Sequence, residues 1–502
     1  MGGFHVKNFG CRAARADGEA VSERLRADGL TEQKPSVADV VVVNTCSVTA
    51  EADREARAYI RRAHRLNPAA KIVVTGCYAQ RAPEELAELA GVAAVVGNSH
   101  KGLAPGIILQ LSTSGGERTP QAGQLVGPSA PSPALISVES LLSASAGKTA
   151  ILVDDRFAHS FLEEAQLTPG AQTRPNLKIQ EGCGNRCTFC VIPQTRGSSR
   201  SLAADAVLRQ VEGFVAAGGH ELVLSGINLG RWGRDLPKTP QQATNRLSLA
   251  NLARQIFAQT DLARLRLSSI EPMDWDAEMI ALMAEFARPA SGPARLARHA
   301  HLPLQSGSDG VLRRMHRRYR PWHYVEKVEA LVRAAGPELT LGADVMAGFP
   351  GETDAEFEET LALIRALPFG YLHLFPFSPR PGTPGWALHR EHPVPASTVE
   401  ARMAALRTLA AEKSSEHRNR AVGAQLDAIT LHTPAQLAAR GRTAALTENF
   451  LPVELRGSLP ANRLVRVHIT GAVADPDGGC DLQGEVATRL GAPPSPRSSL
   501  CG

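Results

Sequence analysis

Cys183-Gly-Asn-Arg-Cys187-Thr-Phe-Cys190 places three thiols at the spacing C-x3-C-x2-C. Three thiolates on one short loop can each bind one iron of a cubane cluster, which leaves the fourth iron open to a substrate. Structural zinc normally takes four protein ligands, and no fourth lies nearby at finger spacing. Iron–sulfur chemistry is the expectation for this loop.

Three more cysteines each follow a strand-like run: Asn8-Phe9-Gly10-Cys11, Asn44-Thr45-Cys46-Ser47 and Thr75-Gly76-Cys77-Tyr78. In a parallel sheet, residues just past the carboxyl ends of strands converge at one edge. Three such loops could gather three thiolates. The opposing reading is three unrelated buried cysteines, since unpaired Cys is often buried. Gly10 and Gly76 favour exposed loops. Cys480 and Cys501 have no such pattern and read as bystanders. Eight cysteines in 502 residues are too few for a disulfide scaffold, so clustered thiols suggest metal or redox chemistry in a reducing compartment.

Further candidates lie where strands should end. In Ser225-Gly226-Ile227-Asn228, the glycine would let a ligand approach the backbone, or the stretch is an ordinary turn. Gln305 and Ser306 are divided evenly between ligand contact and packing. Gly348 heads a run to Thr353 that could touch a cofactor or simply begin a helix. Arg313, Arg314, Arg317, Arg318 and Arg320 surround Tyr319. A charge run is usually a solvated helix face, but guanidinium groups also attract RNA phosphates and aromatic rings stack bases. His299 and His301 flank a strand and read as packing residues.

The elements that must position these groups form an α/β pattern. Runs at 40–43, 72–75 and 92–96 read as strands, with a helical stretch at 50–66 between the first two. Such alternation implies a parallel sheet. It resumes from Leu177, with strands expected near 222–224, 265–267, 301–302, 339–342 and 371–374, which suits a partial (β/α)6 barrel. A helix at 397–420 leads to short strands, including 453–455 and 464–469, that suggest a small all-β barrel. The boundaries expected are 1–111, a Ser/Pro/Gly-rich insertion at 112–148, a core at 149–400, a helical connection and barrel at 401–490, and a tail at 491–502. Net charge is +5, which permits a nucleic-acid partner. No apolar run is long enough to span a membrane, and residues 1–11 have no secretory h-region. A cytoplasmic location without a membrane partner is the expectation.

Two three-cysteine sets, the second opening a barrel, resemble the radical S-adenosylmethionine methylthiotransferases. Matching stretches are Val43-Asn-Thr-Cys46-Ser-Val-Thr49, Gly182-Cys183 through Arg196-Gly197, His301-Leu-Pro-Leu-Gln-Ser-Gly307-Ser-Asp309, Gly348-Phe-Pro-Gly-Glu-Thr353 and Ser378-Pro-Arg-Pro-Gly-Thr-Pro384. The C-terminal piece, with Thr447-Glu448-Asn449-Phe450, looks like a TRAM domain, an RNA-binding barrel. Residues 67–80, 95–98 and His373-Leu-Phe-Pro-Phe-Ser378 look most like the threonylcarbamoyladenosine tRNA methylthiotransferase branch.

The resemblance implies a radical enzyme that puts a methylthio group on carbon 2 of threonylcarbamoyladenosine beside the anticodon. Sister branches act on isopentenyladenosine or on a ribosomal protein, and a non-catalytic iron–sulfur RNA-binding protein or redox sensor is the rival class. Two 4Fe–4S clusters are implied, at Cys183/Cys187/Cys190 and at Cys11/Cys46/Cys77, with S-adenosylmethionine as cofactor. Phe189, between two ligands, matches a family aromatic, and Ser225, Gly226 and Asn228 match a stretch beside the methionine amino group. No side-chain acid–base pair is expected to dominate. The implied partners are tRNA, an electron donor protein and a sulfur source. Three features depart from the family pattern: the run Arg12-Ala-Ala-Arg-Ala-Asp17, the filling Gly184-Asn-Arg186 of the cluster loop, and the long insertion.

Overall fold

Four consecutive valines build the centre of the first sheet. Val41 and Val43 enter one apolar cluster with Ile60 and Tyr78, while Val40 and Val42 enter another with Phe4, Leu25 and Ile107. A strand buried on both faces is what a parallel sheet covered by helices requires. Each fully buried valine contributes about 1.5–3 kcal/mol relative to exposure. The computed structural model describes residues 2–113, 149–157, 162, 173–237, 247–290, 292–474 and 480–489. After Thr113, the insertion expected to 148 lies outside the described residues, as do the tail at 491–502 and Cys501.

The chain divides into two compact units. The first holds Met1–Ala165, Gly182–Gly184 and Val191–Ser198. Its strands are β1 (Gly3–Asn8), β2 (Thr31–Glu32), β3 (Val40–Thr45), β4 (Lys71–Gly76), β5 (Val92–Gly97) and β6 (Ala150–Leu152). They form one sheet in the order β2-β1-β3-β4-β5-β6, and every pairing is parallel. The strand order reverses between β1 and β3, the kind of switch point at which open α/β sheets bind ligands. β6 corrects the boundary expected at 149: Ala150–Leu152 pairs with β5 and so belongs to the first sheet, not to the following core. Ser112 and Thr113 likewise end a helix, Ala104–Thr113.

The second unit holds Gln166–Glu181, Asn185–Cys190 and Ser199–Gly502. Its strands begin with β7 (Asn176–Glu181), β8 (Arg200–Ser201), β9 (Glu221–Gly226), β10 (Arg264–Leu267), β11 (His299–His301), β12 (Thr340–Ala347) and β13 (Phe369–Pro376). They form sheets β10-β9-β7-β8 and β11-β12-β13, linked by the bridge between Leu265 and Leu296. Apart from antiparallel β8, all pairings are parallel. This is the expected partial barrel.

A helix of 25 residues, Ala396–Arg420, leads to β14 (Gln425–Thr430), β15 (Arg442–Thr447), β16 (Pro452–Arg456), β17 (Leu464–Ala474) and β18 (Cys480–Arg489). These close into a barrel, β14-β15-β16-β18-β17. The expected boundary at 401 is not a break. Asn449 Nδ2 donates to the Glu338 carbonyl at 2.9 Å, Arg266 Nη2 donates to the Thr447 carbonyl at 3.2 Å, and Phe450 lies 4.4 Å from the His299 ring. Nearby, Glu221 is buried among Arg266, Arg264 and Arg174. Burial alone would raise its pKa, but the three guanidinium groups outweigh it and hold the carboxyl below its ordinary value.

Candidate metal and cofactor site

β1, β3 and β4 are neighbours in the sheet, and Cys11, Cys46 and Cys77 follow their carboxyl ends. Gly10 has φ +97°, and a Cβ there would stand 2.5 Å from Cys46 Cβ and 2.8 Å from its Sγ. Only glycine lets the Cys11 loop lie this close. Gly76, at φ +99°, is equally confined, because its Cβ would stand 2.3 Å from the Thr45 carbonyl oxygen. Cys46 and Cys77 are buried, while Cys11 is exposed.

Burial, with the neighbouring Cys77 and Cys11 acting in the same direction, pushes the Cys46 thiol up to about 12. Three bare thiolates in one place repel one another. A coordinated metal reverses that balance by deprotonating the thiols it binds. The donor set therefore fits an iron–sulfur cluster.

Two polar groups converge on one of these sulfurs. Arg196 Nε donates to Cys77 Sγ at 3.2 Å and Asn98 Nδ2 does so at 3.4 Å. Arg196 is fully buried and also pairs with Asp17 at 3.0 Å, which Lys101 approaches at 3.3 Å. The short helix Ile192–Arg196 carries this arginine into the first unit. Arg196 and Asp17 stand far apart in the sequence, and nothing in their spacing announces the pair.

Cys183 belongs to the first unit, where its N–H donates to the Gly197 carbonyl at 3.0 Å. Cys187 and Cys190 belong to the second, where the Cys190 N–H donates to the Cys187 carbonyl at 3.2 Å. The turn between them is clamped at Thr188. Its N–H donates to the Met315 carbonyl at 3.2 Å, its Oγ1 to the Arg314 carbonyl at 3.0 Å, and its carbonyl accepts from the Gly385 N–H at 2.7 Å. Phe189 is half-buried in that turn.

Arg317 departs from the phosphate-binding expectation. It is buried, donates from Nη1 to Cys187 Sγ at 3.2 Å, and pairs with Glu271 at 3.0 Å. Tyr319 is also buried, its hydroxyl donating to the Pro303 and Leu304 carbonyls. No base can stack on that ring. The other arginines have acidic neighbours: Arg313 and Arg320 with Asp309, Arg314 with Glu356, and Arg318 with Asp274. Charge density marked this run; it could not say which guanidinium turns inward.

At the end of β9, Ser225 and Asn228 are buried, and the Asn228 N–H donates to Gln180 Oε1 at 2.7 Å. A Cβ on Gly226 would stand 2.9 Å from Gln180 Cβ, so close packing is built in. Gln305 takes φ +64°, an uncommon region for a side-chain-bearing residue. It bridges to Val345 through hydrogen bonds with Asp344 and Met346. Ser306 Oγ faces Thr360 Oγ1 at 3.1 Å. Gly348 has φ +77°, gives its N–H to Glu352 at 2.7 Å, and packs against Val399. Ser306 and Gly348 are thus engaged in internal packing.

A further set comes from three neighbouring strands, β11, β12 and β13. His301, Asp344 and His373 each offer one polar atom, all within 4.8 Å of one another.

The family described as Uncharacterized protein family UPF0004 matches residues 3–97, and the Radical SAM superfamily matches residues 177–364. A protein of Bacillus subtilis (strain 168) named threonylcarbamoyladenosine tRNA methylthiotransferase MtaB is 32% identical over 472 residues, covering 93% of this chain and 93% of that protein. One of Erythrobacter litoralis (strain HTCC2594) named tRNA-2-methylthio-N(6)-dimethylallyladenosine synthase is 34% identical over 402 residues, covering 78% of each. Among solved structures, the radical S-adenosylmethionine methyltransferase TsrM from Kitasatospora setae aligns with a TM-score of 0.48 and 16% identity, over 77% of this chain and 74% of that one. Among the described residues, no helix is long and apolar enough to cross a membrane.

Proposed function

The chain belongs to the radical S-adenosylmethionine methylthiotransferase family, and on that premise we propose that it converts N6-threonylcarbamoyladenosine beside the anticodon of tRNA to its 2-methylthio derivative. One observation carries the reading: Cys11, Cys46 and Cys77 gather past three adjacent strands, separately from the C-x3-C-x2-C loop. Two thiol sets support two 4Fe–4S clusters. The relative named for threonylcarbamoyladenosine aligns along 93% of the chain, against 78% for the one named for dimethylallyladenosine. That difference supports the threonylcarbamoyl substrate.

When bound, the clusters and S-adenosylmethionine supply the one-electron chemistry that exchanges the carbon 2 hydrogen for a methylthio group. The chain's own residues hold, orient and tune. Cys183, Cys187 and Cys190 hold one cluster, and Cys11, Cys46 and Cys77 hold the other. Arg317 donates to Cys187, and Arg196 and Asn98 to Cys77. Hydrogen bonds to cluster sulfurs are a lever on reduction potential. Phe189, Ser225, Gly226 and Asn228 line the S-adenosylmethionine site, while Gln305 shapes the β12 edge. RNA contact falls to the more exposed arginines, Arg313 above all, and to the C-terminal barrel. Between 401 and 470 that region has ten Arg/Lys and five Asp/Glu. An electron donor protein and a sulfur source complete the partners.

Mass spectrometry of tRNA nucleosides from a strain lacking the gene tests the reading. The 2-methylthio derivative should vanish and threonylcarbamoyladenosine accumulate. Loss of 2-methylthio-isopentenyladenosine instead would move the substrate to the sister branch.

A further inference from the structure

β12 and β13 present two unlike rows of side chains. On β12, Leu341, Ala343, Val345 and Ala347 are fully buried. Gly342, Asp344 and Met346 alternate with them. In a βα barrel the apolar row packs against the helices, and the alternate row faces the interior. Register pairs Gly342 with Tyr371 and Asp344 with His373, so Tyr371 and His373 share the interior row. That row is polar. His373 Nδ1 lies 3.3 Å from Asp344 Oδ1, and His301 Nε2 lies 3.5 Å from the same oxygen. His301 Nδ1 is held by Ser269 Oγ at 2.7 Å. Exposure rises across the set, from 9% for the His301 side chain through 22% for Asp344 to 56% for His373. Two residues beyond Ser269, Glu271 pairs with Arg317, which donates to Cys187. A chain of contacts through Ser269, Glu271 and Arg317 thus connects the polar wall to the cluster loop at Cys187.

We propose that this wall reads the N6 substituent of the target adenosine, with His373 as the residue that sets specificity for threonylcarbamoyl over isopentenyl. The inference rests on the substrate reading above. Asp344 faces Nδ1 of His373 and turns the opposite ring nitrogen away from the carboxylate. Neutral, that nitrogen accepts from the hydroxyl or carbamoyl N–H of the substituent. Protonated, it donates to the carboxylate. An isopentenyl group offers a partner in neither state. A site built to hydrogen-bond a substrate group rejects the analogue that lacks it far better than an apolar pocket rejects an extra group.

The test is binding, read by fluorescence anisotropy. Cluster-loaded enzyme is titrated with anticodon stem-loop RNAs carrying threonylcarbamoyl-, isopentenyl- or unmodified adenosine. The wild-type protein should prefer the threonylcarbamoyl RNA. His373→Phe should reduce its preference over the isopentenyl RNA at least about tenfold, with iron content and melting temperature as controls for folding. His373→Gln, which keeps a hydrogen-bonding end, should recover part of it. An unchanged preference in His373→Phe overturns the inference and leaves the substrate reading standing. A wild-type protein with no preference overturns both. Because the three polar atoms could also ligate a cation, the titration is repeated with EDTA. A preference that EDTA abolishes would assign recognition to a bound metal and overturn the direct role of His373.

Discussion

The two cysteine sets follow opposite plans. Cys183, Cys187 and Cys190 stand on one loop, and their spacing survives as long as the loop does. Cys11, Cys46 and Cys77 come from three strands and meet only when β1, β3 and β4 pair in register, as in Asn8 with Asn44 and Thr45 with Gly76. The local set is written in spacing; the distributed set is written in topology. The distributed set is also the more deeply buried, with two of its thiols enclosed and one raised to about 12. Its dependence on metal for a stable ionised state is correspondingly greater.

The largest expected effect breaks the local set. Replacing Cys183, Cys187 and Cys190 with Ala should take reconstituted iron from about eight to about four per chain, if each set holds one cubane. Cleavage of S-adenosylmethionine to 5′-deoxyadenosine should be abolished. Unchanged iron in that variant would remove the loop from the assignment.

A single change without sulfur should separate the plans. Gly10→Ala drives a Cβ into Cys46 and forces a strained φ of +97°. Iron assays on this variant should fall toward about four atoms per chain, while 5′-deoxyadenosine formation persists. Retention of full iron would mean that the Cys11 loop is slack, against the contact described.

The second unit also holds a buried charge cluster, around Glu221. Breaking a buried ion pair by removing one partner typically costs about 3–5 kcal/mol, and Glu221→Gln should destabilise by that order. Because the carboxyl of Glu221 is held below its ordinary value, its stabilisation is present above the unfolded pKa. It is lost as pH falls through the folded one. Thermal melts from neutral pH into the acid range should therefore show a smaller acid loss in Glu221→Gln than in the wild type. Parallel curves would deny Glu221 that role.

The smallest effect concerns RNA. The Arg313 side chain is 61% exposed, so Arg313→Glu should weaken tRNA binding and lower the salt slope by about one unit. An identical slope would leave the C-terminal barrel to account for the binding.

The sequence made much of this legible, and the rest failed for identifiable reasons. The valine run gave β3, and the exposed loop expected after Gly10 is present, but the one expected after Gly76 is not, because Cys77 is buried and opens the helix Cys77–Arg81. β6 was hidden because a three-residue edge strand, Ala150–Leu152, pairs across the long insertion and has no pattern of its own. Arg317 was misread because five arginines in a run look alike until Cys187 and Glu271 draw one inward. Arg196 crosses from the cluster loop to Cys77 through a fold that spacing does not encode. Asp344 and His373 could have been suspected from alternation, since each interrupts an otherwise apolar strand.

The central claim is that the distributed set serves methylthio transfer and the local set serves radical formation. Reconstituted wild-type enzyme and the Cys11/Cys46/Cys77→Ala variant would each be incubated anaerobically. Each reaction contains reductant, sulfide, S-adenosylmethionine and anticodon RNA bearing threonylcarbamoyladenosine. Mass spectrometry of the digested RNA and of the small molecules reads both outcomes at once. The wild type should yield 5′-deoxyadenosine and the 2-methylthio nucleoside, and the variant 5′-deoxyadenosine alone. Full methylthiolation by the variant would contradict the account.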